Sequence, residues 1–426
     1  MGITLNQDQR DAIDKMHDFL SDPDQSLFVL RGYAGTGKTT CIQTLLREEK
    51  VVAVLTAPTN KATRVLSQIS KSEGVDCECC TIYSLLGLRL TSNSDIQRVE
   101  AIGESKVDMY QLMVVDEGSM VGEVLLGHIM EASLEANVKV IFMMDPMQLP
   151  PVGEDRSPLM DAPCSASLTK VERHDNQILA LATQVRLAAS GEGDLKLKSS
   201  HDENGGVYVV RPNAFNGKIT SGFTSLKYQE DPETFKCIAW RNKTVNFYNS
   251  IIRKGLYGDK ELPKFMEGER VVAASPVMVK GPDGWFAEMT TDEEAEVQEV
   301  VECGHPVFED IKCYKLLLDS SDREGYVTAF VPHEESMKLY SSKLKQAIDI
   351  AKKDRSKWGH YWALKKDFFS DIRPCHAITA HRSQGSTYDT TFVDAGDILA
   401  NRNKLEGLKC LYVAVSRASR IVVMRK

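Results

Sequence analysis

Short apolar runs alternate along the chain with segments whose apolar residues recur at helical spacing. Residues 27–30 form such a run, and residues 41–46 follow it with helical spacing. Further runs that are wholly or largely apolar occupy residues 112–115, 138–144 and 237–240. Runs of this length beside helical patterns are typical of buried parallel strands connected by helices. The pattern therefore predicts an α/β fold.

A phosphate-binding pattern lies between the first predicted strand and the first predicted helix. Residues 32–39 read GYAGTGKT, which fills every position of G-x-x-x-x-G-K-[ST]. Glycines let successive backbone N–H groups converge on an anion, and the helix N-terminus adds partial positive charge. We predict that Lys38 reaches the β- and γ-phosphates of a nucleotide and that Thr39 binds magnesium. An ordinary glycine turn is the alternative, with a chance on the order of one per cent given glycine at about 7% of residues.

Acidic and amide side chains follow two other predicted strands. Asp116 and Glu117 come directly after residues 112–115, where a parallel strand delivers side chains to the crevice at its carboxyl end. Phosphoryl transfer depends mostly on positioning and charge stabilisation. We therefore predict Asp116 in the magnesium shell and Glu117 as the residue that orients the attacking water. Gln148, after residues 138–144, is a candidate sensor of the γ-phosphate, and a solvated strand end is the alternative for the acidic pair.

Further short motifs continue this order along almost the whole chain. They are residues 5–12 (LNQDQRDA), 57–62 (APTNKA), 81–86 (TIYSLL), 116–119 (DEGS), 148–152 (QLPPV), 168–173 (LTKVER), 379–387 (TAHRSQGST) and 411–418 (LYVAVSRA). With the phosphate-binding pattern, they resemble the motifs of superfamily 1 DNA helicases, in the branch of RecD and phage Dda. Residues 249–254 and the aromatic segment 358–369 resemble the Dda type in particular, and simple packing is the alternative for these aromatics.

The resemblance implies two RecA-like P-loop NTPase cores, with a small β-hairpin insertion in the first and an SH3-like barrel plus a helical insertion in the second. The first core, with the ATP site, is predicted at residues 1–188, interrupted by a pin-like β insertion at 86–110. The second core is predicted at 189–255 and 375–426. Residues 256–374 are predicted to hold the small β-barrel and a helical, tower-like element.

ATP and Mg²⁺ are the cofactors that the resemblance implies. The predicted nucleotide-binding residues are Gln9, Gly32, Ala34, Gly35, Thr36, Gly37, Lys38, Thr39, Thr40 and Gly385. Gln9 is expected to hydrogen-bond the edge of the adenine base. The predicted catalytic residues are Lys38, Glu117, Gln148, Arg173 and Arg417. The predicted metal ligands are Thr39 and Asp116.

Two arginines are the candidates for coupling hydrolysis to movement. An ATP site on one core needs a charge from across a cleft if hydrolysis is to drive a change in the distance between cores. We predict that Arg173, near the end of the first core, and Arg417, in the second, supply that charge. Such a role contributes about 10³- to 10⁵-fold to the rate in known NTPases. A surface ion pair is the alternative for each arginine.

The charge of the chain restricts how it can bind nucleic acid. A net charge of −8 and a pI near 5.7 exclude a wholly basic nucleic-acid binder. Binding must then be local, through a few phosphate donors and aromatic platforms that each contribute roughly 1–3 kcal/mol per stacked base. The predicted DNA-binding residues are Pro58, Thr59, Asn60, Lys61, Thr81, Tyr83, Ser84, Trp240, Thr379 and His381. For Trp240 a core position is the alternative.

The sequence also departs from the family pattern. Arg382 replaces the usual Lys, Ser416 replaces Thr, and Tyr83 replaces a frequent His. The predicted pin lacks Phe, Trp and Tyr between residues 86 and 109. Val99 or another aliphatic residue would have to separate the strands of a duplex.

Cysteine usage and apolar content bear on the compartment. The cluster of Cys77, Cys79 and Cys80 lacks a second ligand pair at zinc-finger spacing, so free thiols in a reducing cytosol are expected. No run reaches the roughly 18 apolar residues of a membrane span, and no signal-peptide core is present. The sequence predicts a cytoplasmic protein, in the host cytoplasm if a phage encodes it, without a membrane partner.

The function hypothesis is an ATP-dependent DNA helicase of superfamily 1. It is expected to translocate 5′ to 3′ on single-stranded DNA and to unwind duplex DNA in replication, recombination or repair. The expected partners are single-stranded and forked duplex DNA and replication or single-strand-binding proteins, with the chain acting as a monomer. The alternatives are a RecD-like motor subunit of a recombination complex and a nucleotide-switch single-strand-binding protein that does not unwind.

Overall fold

The computed structural model of the protein describes residues 5–93, 96–101, 103–151, 153–170, 177–258, 261–282 and 284–426. The helices are α1 Gln7–Ser21, α2 Lys38–Glu49, α3 Asn60–Ser72, α4 Ile82–Leu85, α5 Glu123–Glu135, α6 Gln177–Ala189, α7 Pro212–Phe223, α8 Leu226–Glu230, α9 Asn242–Tyr257, α10 Met337–Lys353, α11 Trp358–Trp362, α12 Ala395–Leu399 and α13 Lys404–Ser416. The strands are β1 Leu27–Gly32, β2 Ala53–Ala57, β3 Glu78–Thr81, β4 Leu88–Asn93, β5 Ile96–Ala101, β6 Leu112–Val115, β7 Lys139–Met144, β8 Ser165–Leu168, β9 Ser200–Asp202, β10 Gly205–Val210, β11 Phe235–Ala239, β12 Arg270–Ala273, β13 Val277–Gly281, β14 Gly284–Met289, β15 Glu294–Gly304, β16 Lys312–Asp319, β17 Tyr326–Pro332, β18 Ile372–Pro374, β19 Ala377–Thr379, β20 Tyr388–Asp394 and β21 Ala418–Arg425.

The chain divides into two compact units, each made of segments that are distant in sequence. The first unit comprises Met1–Gly87, Gly103–Leu256 and Ala377–Lys426, and the second comprises Leu88–Ile102 and Tyr257–His376. Among the described helices, none combines the length and apolarity needed to cross a bilayer.

The first unit contains a six-stranded parallel sheet in the order β3-β2-β6-β7-β1-β8. Strands β2 and β6 are buried along their full length, because both faces of the sheet are covered by helices. The core beside it joins α1, α2 and α3 to the sheet through residues such as Met16, Leu45 and Leu66. The prediction of an α/β fold with a parallel sheet is confirmed.

A second six-stranded sheet of the same unit has the order β19-β11-β20-β21-β10-β9. Its strands are parallel except β9, which pairs antiparallel with β10. Helix α6 was predicted to close the first core, which was drawn to residue 188. Ile178, Leu181 and Val185 of α6 lie in one apolar cluster with residues of the second sheet and helix α13, and this cluster also contains Met147 and Leu149. The boundary at residue 188 stays a prediction. Periodicity showed that one face of α6 is buried but not which sheet covers it.

The second unit contains a five-stranded antiparallel sheet in the order β17-β16-β15-β12-β18. Its core includes Val271, Val297, Leu316 and Val327. In β15, β16 and β17 such buried residues largely alternate with more exposed ones, as expected for strands with one buried face. Short strands were predicted in this region. Closure of the sheet into an SH3-like barrel stays a prediction.

Another antiparallel sheet of the second unit joins two hairpins from distant parts of the chain. Strands β4 and β5 pair antiparallel, and so do β13 and β14. The role of the β4–β5 pair as a pin stays a prediction. Strand β14 also pairs with β4, with Trp285 opposite Ser92 and Phe286 opposite Thr91. The insertion predicted for the first core therefore shares backbone hydrogen bonds with the insertion predicted for the second.

Candidate nucleotide and nucleic-acid site

The phosphate-binding pattern forms the loop between β1 and α2. Gly37 has φ 87° and is the residue immediately before helix α2. A Cβ at Gly37 would lie 2.4 Å from Gln9 Nε2, so both the backbone conformation and the available space require glycine here. The loop thus brings its backbone to the N-terminus of α2, as anion binding demands.

Lys38 and Gln9 fix the shape of this loop through hydrogen bonds. Lys38 Nζ donates to Gly32 O at 2.7 Å, across the base of the loop. Gln9 is buried, and its Nε2 donates to Thr36 O at 3.1 Å while its Oε1 accepts from Asn6 N at 3.0 Å. Both ends of the Gln9 amide therefore bind the protein itself, and the predicted contact with adenine would require it to exchange one of these partners.

Acidic side chains lie beside the loop, at the carboxyl ends of neighbouring strands. Asp116 follows β6 and Asp145 follows β7, and β7 pairs directly with β1. Burial raises the pKa of Asp116 to about 6, and the nearby carboxylate of Glu117 adds to this, against the opposing charges of Lys38 and Arg417. Burial likewise raises the pKa of Asp145, which Lys38 opposes. The site therefore concentrates negative charge where a divalent cation could neutralise it.

Glu117 occupies an unusual backbone conformation. Its φ of 53° lies in the left-handed region, which costs a non-glycine residue roughly 1–2 kcal/mol. The Glu117 N–H donates to Asp116 Oδ1 at 2.7 Å, which ties the two acidic residues together. This conformation turns the Glu117 carboxylate towards the second sheet, where it meets Arg417.

Asp116→Asn is expected to stabilise the free protein while it removes a candidate metal ligand. The folded-state pKa near 6 exceeds the ordinary value of 3.8, so the ionised carboxylate costs folding free energy above pH 6, and this cost fades as the pH falls towards 4. We expect a gain of about 1–3 kcal/mol at pH 7.5. The check is thermal unfolding without nucleotide or Mg²⁺ at pH 7.5 and 4.5, where the gain should shrink.

Asp14→Asn is the matched control, because Asp14 is exposed on α1. It should leave the unfolding midpoint unchanged at both pH values. An Asp116→Asn protein that unfolds at or below the wild-type temperature at pH 7.5 would contradict the assignment of a destabilising buried charge.

Arg417 reaches the acidic pair from the second sheet. It is the residue after helix α13 and is only 7% exposed. Its Nη1 lies 3.4 Å from Glu117 Oε1 and 3.4 Å from Ser386 O, whereas its buried Nε has no hydrogen-bond partner among the described residues. A buried donor without a partner is costly, and a phosphate oxygen would satisfy it. The residues present therefore fit a nucleotide phosphate.

Tyr412 is a residue of this site that sequence reasoning missed. Its hydroxyl accepts from Ala34 N at 2.9 Å and donates to Asp145 Oδ2 at 2.6 Å. Tyr412 is buried in helix α13, so one hydroxyl connects the second sheet to the phosphate-binding loop and to a site carboxylate. The available signal was a polar hydroxyl in an otherwise apolar helical run within residues 411–418.

Two glutamines connect the loop after β7 to its surroundings. Gln148 is buried, and its Oε1 accepts from Ser119 Oγ at 3.0 Å, two residues after Glu117. Gln384, in the segment before β20, donates through Nε2 to Leu149 O at 3.1 Å. Gln148 thus contacts the segment that follows the acidic pair, and its role as a γ-phosphate sensor stays a prediction. The neighbouring residue, Leu149, is bound by Gln384 from the segment before β20.

The candidate DNA-binding residues lie at the carboxyl ends of other strands. Pro58, Thr59, Asn60 and Lys61 follow β2, and Thr81, Tyr83 and Ser84 lie at and after the end of β3. Trp240 follows β11, and Thr379 and His381 lie at and after the end of β19. In the first sheet, strands β3 and β2 lie next to each other and are followed by candidate DNA-binding residues. The neighbouring strands β6, β7 and β1 are followed by the candidate nucleotide-binding residues. The two sets of candidates are therefore side by side and separate.

Thr59 and Gly385 bring the two sheets together within the DNA-binding set. Thr59 caps helix α3, with Oγ1 accepting from Ala62 N at 3.2 Å. A Cβ on Gly385 would meet Thr59 Oγ1 at 3.1 Å and Ala62 Cβ at 3.5 Å. Gly385 was predicted to bind nucleotide. Its direct neighbours are instead residues of the predicted DNA track, and a nucleotide contact stays a prediction.

The predicted aromatic platforms differ in how they are held. Trp240 is half-buried against the core of the second sheet, and its backbone N–H donates to Asp397 Oδ2 at 2.8 Å. Tyr83 is half-buried in α4, and burial raises the pKa of its hydroxyl. Each ring therefore packs on the protein with part of its surface exposed, and stacking with a base stays a prediction for both.

His381 is predicted to act as a neutral hydrogen-bonding group. Burial lowers its pKa below the ordinary value of 6.5, which outweighs the opposing charge of Glu406. Candidate ligand atoms of His381, Glu406 and Cys410 lie within 4.8 Å of one another. Burial raises the pKa of the Cys410 thiol to about 12, so this thiol is protonated at neutral pH.

Other predicted residues have simpler positions. Thr39 and Thr40 are half-buried in the first turn of α2, next to Lys38. Thr36 is buried, with its Oγ1 donating to Tyr33 O at 2.9 Å. Arg173 lies outside the described residues, so its proposed role stays a prediction.

Two protein families match the segments of the chain that form this site. Residues 4–209 match the family described as AAA domain, and residues 374–424 match the UvrD-like helicase C-terminal domain. The chain is 24% identical over 489 residues to an uncharacterised protein, R530, of Acanthamoeba polyphaga mimivirus, covering 97% of this chain and 98% of that protein. It is 23% identical over 394 residues to the ATP-dependent DNA helicase dda of Enterobacteria phage T4, covering 85% and 86%.

A solved structure of Pif1 helicase from Bacteroides, in complex with ADP-AlF3 and ssDNA, is similar with a TM-score of 0.47 and 16% identity, covering 99% of this chain and 92% of that one. The fold and the site define a P-loop NTPase whose phosphate-binding loop on one parallel sheet faces an arginine from a second. The chain belongs to the superfamily 1 DNA helicases, in the branch of RecD and Dda, and is an ATP-dependent enzyme of that family.

Proposed function

We propose that the chain hydrolyses ATP to translocate along single-stranded DNA in the 5′ to 3′ direction and to unwind duplex DNA. The observation that carries the proposal is the pair of Glu117 and Arg417, which come from different sheets and lie 3.4 Å apart beside the phosphate-binding loop. Loss of the γ-phosphate on hydrolysis would alter the electrostatic attraction between these two residues and so between the two sheets. Direction follows from the family resemblance.

The nucleotide site is proposed to work by positioning and charge. Lys38 and the loop N–H groups would hold the phosphates, and Glu117 would orient the attacking water. Thr39 and Asp116 would hold Mg²⁺, which neutralises phosphate charge when it is bound. Arg417 would stabilise the charge that develops during transfer, which its unpartnered Nε supports. Arg173 is proposed as a second such donor.

The DNA track is proposed to run along the carboxyl ends of β2 and β3 in the first sheet and of β11 and β19 in the second. The lack of space for a side chain on Gly385 next to Thr59 supports a track shared by both sheets. Such a track would let a change in the spacing of the sheets move a strand. His381 would serve it as a neutral hydrogen-bonding group.

Strand separation is proposed for the β4–β5 hairpin. Opening one base-pair step costs roughly 1.4 kcal/mol, so a fixed obstacle at a thermally fraying fork is sufficient to bias it. Pairing of β4 with β14 supports this role, because a hairpin held in a four-stranded sheet resists bending better than an isolated one. Forked duplex DNA is the proposed substrate, in replication, recombination or repair, with the chain acting as a monomer.

Strand displacement with single-tailed duplexes tests this proposal. The chain, ATP and Mg²⁺ are mixed with a duplex that carries only a 5′ tail or only a 3′ tail. Displacement from the 5′ tail, lost in Lys38→Ala, is the expected result. Displacement from the 3′ tail alone would contradict the direction, and ATP hydrolysis stimulated by single-stranded DNA without any displacement would favour a nucleotide switch over a helicase.

A further inference from the structure

A strongly basic segment with half-buried tryptophans lies in the second unit. Residues 352–366, here named the basic aromatic segment, contain six Lys and Arg residues against one Asp, in a chain that has 52 basic and 60 acidic residues overall. The same fifteen positions hold Trp358, Tyr361 and Trp362. Positive charge is therefore concentrated where the chain as a whole is acidic.

The fold of this segment directs its cations to solvent. It comprises the end of α10, a 3₁₀ turn at Arg355–Lys357, α11 and a π-helix at Ala363–Asp367. Ala351, Tyr361 and Leu364 are buried and attach the segment to the second unit. The cations Lys352, Lys353, Arg355, Lys357 and Lys365 are exposed.

Three of these cations, Lys352, Lys353 and Arg355, differ from other cations of the second unit in their ion pairing. Lys312 pairs with Glu302 at 2.7 Å and Lys343 pairs with Asp310 at 2.8 Å. Within the described part of the chain, Lys352, Lys353 and Arg355 form no ion pair. The segment's one acidic residue, Asp354, accepts hydrogen bonds from Ser356 N and Oγ, which fix the turn.

The tryptophans of this segment form a pair of mutually tilted rings. Trp358 and Trp362 are half-buried, with ring centroids 6.3 Å apart and planes inclined by 30°. Lys365 Nζ and Lys366 Nζ lie 5.4 Å and 5.0 Å from the Trp362 ring centroid. Aromatic faces next to cations are the combination that binds unpaired bases and their phosphates.

We propose that the basic aromatic segment binds single-stranded nucleic acid, as a second site apart from the proposed track in the first unit. The cations Lys352, Lys353, Arg355 and Lys357 contact phosphates, and the exposed parts of Trp358 and Trp362 stack with bases. Half-buried tryptophans among exposed cations distinguish this face from an ordinary solvated one. This site does not depend on unwinding or on ATP.

The first experiment measures binding of the full chain to fluorescein-labelled oligothymidine, by anisotropy over a range of KCl concentrations without ATP. The triple variant Lys352→Gln, Lys353→Gln, Arg355→Gln removes three proposed phosphate contacts. Each contact contributes about 0.7 to the slope of log K against log salt for single strands. We expect the slope to fall by about 2 and the affinity at 0.1 M salt to fall by about 10- to 100-fold.

The matched control removes the same charge from exposed positions in the first unit, through Lys15→Gln, Arg211→Gln and Lys218→Gln. It should bind within about twofold of wild type, within the usual effect of a distant surface charge. Equal losses in both triple variants would overturn the proposal, because they would reflect net charge alone.

Trp362→Leu tests the proposed stacking. It should weaken binding by about fivefold or more, with the slope of log K against log salt unchanged. Unchanged affinity would remove stacking from the proposal.

Hydrogen exchange gives a readout that needs no variant. Oligothymidine should protect peptides from residues 352–366 in the wild-type chain, and their unchanged exchange would overturn the proposal. Protection by a poly-glutamate peptide but not by oligothymidine would also overturn it and assign the segment to an acidic protein partner. A chain that binds through this segment but shows no ATP hydrolysis would leave this site intact and contradict only the proposed motor function.

Discussion

Arg417→Ala is expected to lower ATP hydrolysis stimulated by single-stranded DNA by about 10³-fold or more, as for arginines that reach a transferring phosphate from another core. The guanidinium lies 3.4 Å from Glu117 Oε1 and keeps a buried Nε without a partner among the described residues. The loss should fall on kcat, with little change in nucleotide affinity, because the charge acts mainly on the transition state. Steady-state kinetics at saturating DNA checks both values.

Arg420→Ala is the matched control, since Arg420 lies three residues further along the chain in β21 and pairs with Asp389 at the surface. It should retain close to the wild-type rate. Arg417→Lys keeps the charge but loses the planar fork, so partial recovery is expected. More than a tenth of the wild-type rate in Arg417→Ala would contradict the role of Arg417.

Lys38→Ala is expected to abolish measurable ATP turnover, a loss of about 10³-fold or more if the lysine stabilises the transferring phosphate as in other NTPases. It differs from Arg417→Ala because the nucleotide should also bind more weakly, since Lys38 contacts the phosphates in the ground state. Lys38 also lowers the pKa of Asp116 and of Asp145. Its removal should therefore reduce thermal stability at pH 7.5, opposite to Asp116→Asn.

Lys15→Ala, at an exposed position of α1, is the control for the loss of a lysine. The measurements are ATP hydrolysis with single-stranded DNA, binding of a fluorescent ATP analogue, and thermal unfolding. Turnover within tenfold of wild type in Lys38→Ala would exclude the proposed phosphate contact, and unchanged stability would exclude the proposed coupling to the two aspartates.

Local patterns were sufficient to predict the parts of the site that follow directly from a strand. The apolar run at residues 112–115 is followed by Asp116, because a buried parallel strand needs apolar residues whereas the residue after its end can be polar. The phosphate-binding loop was equally predictable from the sequence. Gly37 must adopt a left-handed conformation beside Gln9, and this requirement makes glycine part of the motif. Each prediction needed only neighbours in the sequence.

Contacts between segments that are far apart in the sequence could not be predicted in this way. The pairing of β4 with β14 aligns Ser92 with Trp285, and nothing near either residue specifies the other. The apolar face of α6 required burial but did not identify the second sheet as its partner. Tyr412 gave the same difficulty, because its two hydrogen-bond partners come from separate loops.

We expect the Tyr412 hydroxyl to make ATP binding sensitive to mechanical load, if the chain translocates as proposed. It holds an amide of the loop that receives phosphate and a carboxylate of the first sheet, although it belongs to the second. Pulling the two sheets apart must stretch these hydrogen bonds. Tension on a DNA strand held in the proposed track and binding of phosphate to the loop therefore act on the same contacts. Linkage requires the effect to be mutual. An opposing force should therefore change how tightly ATP is held, and ATP should change the force at which the enzyme stalls.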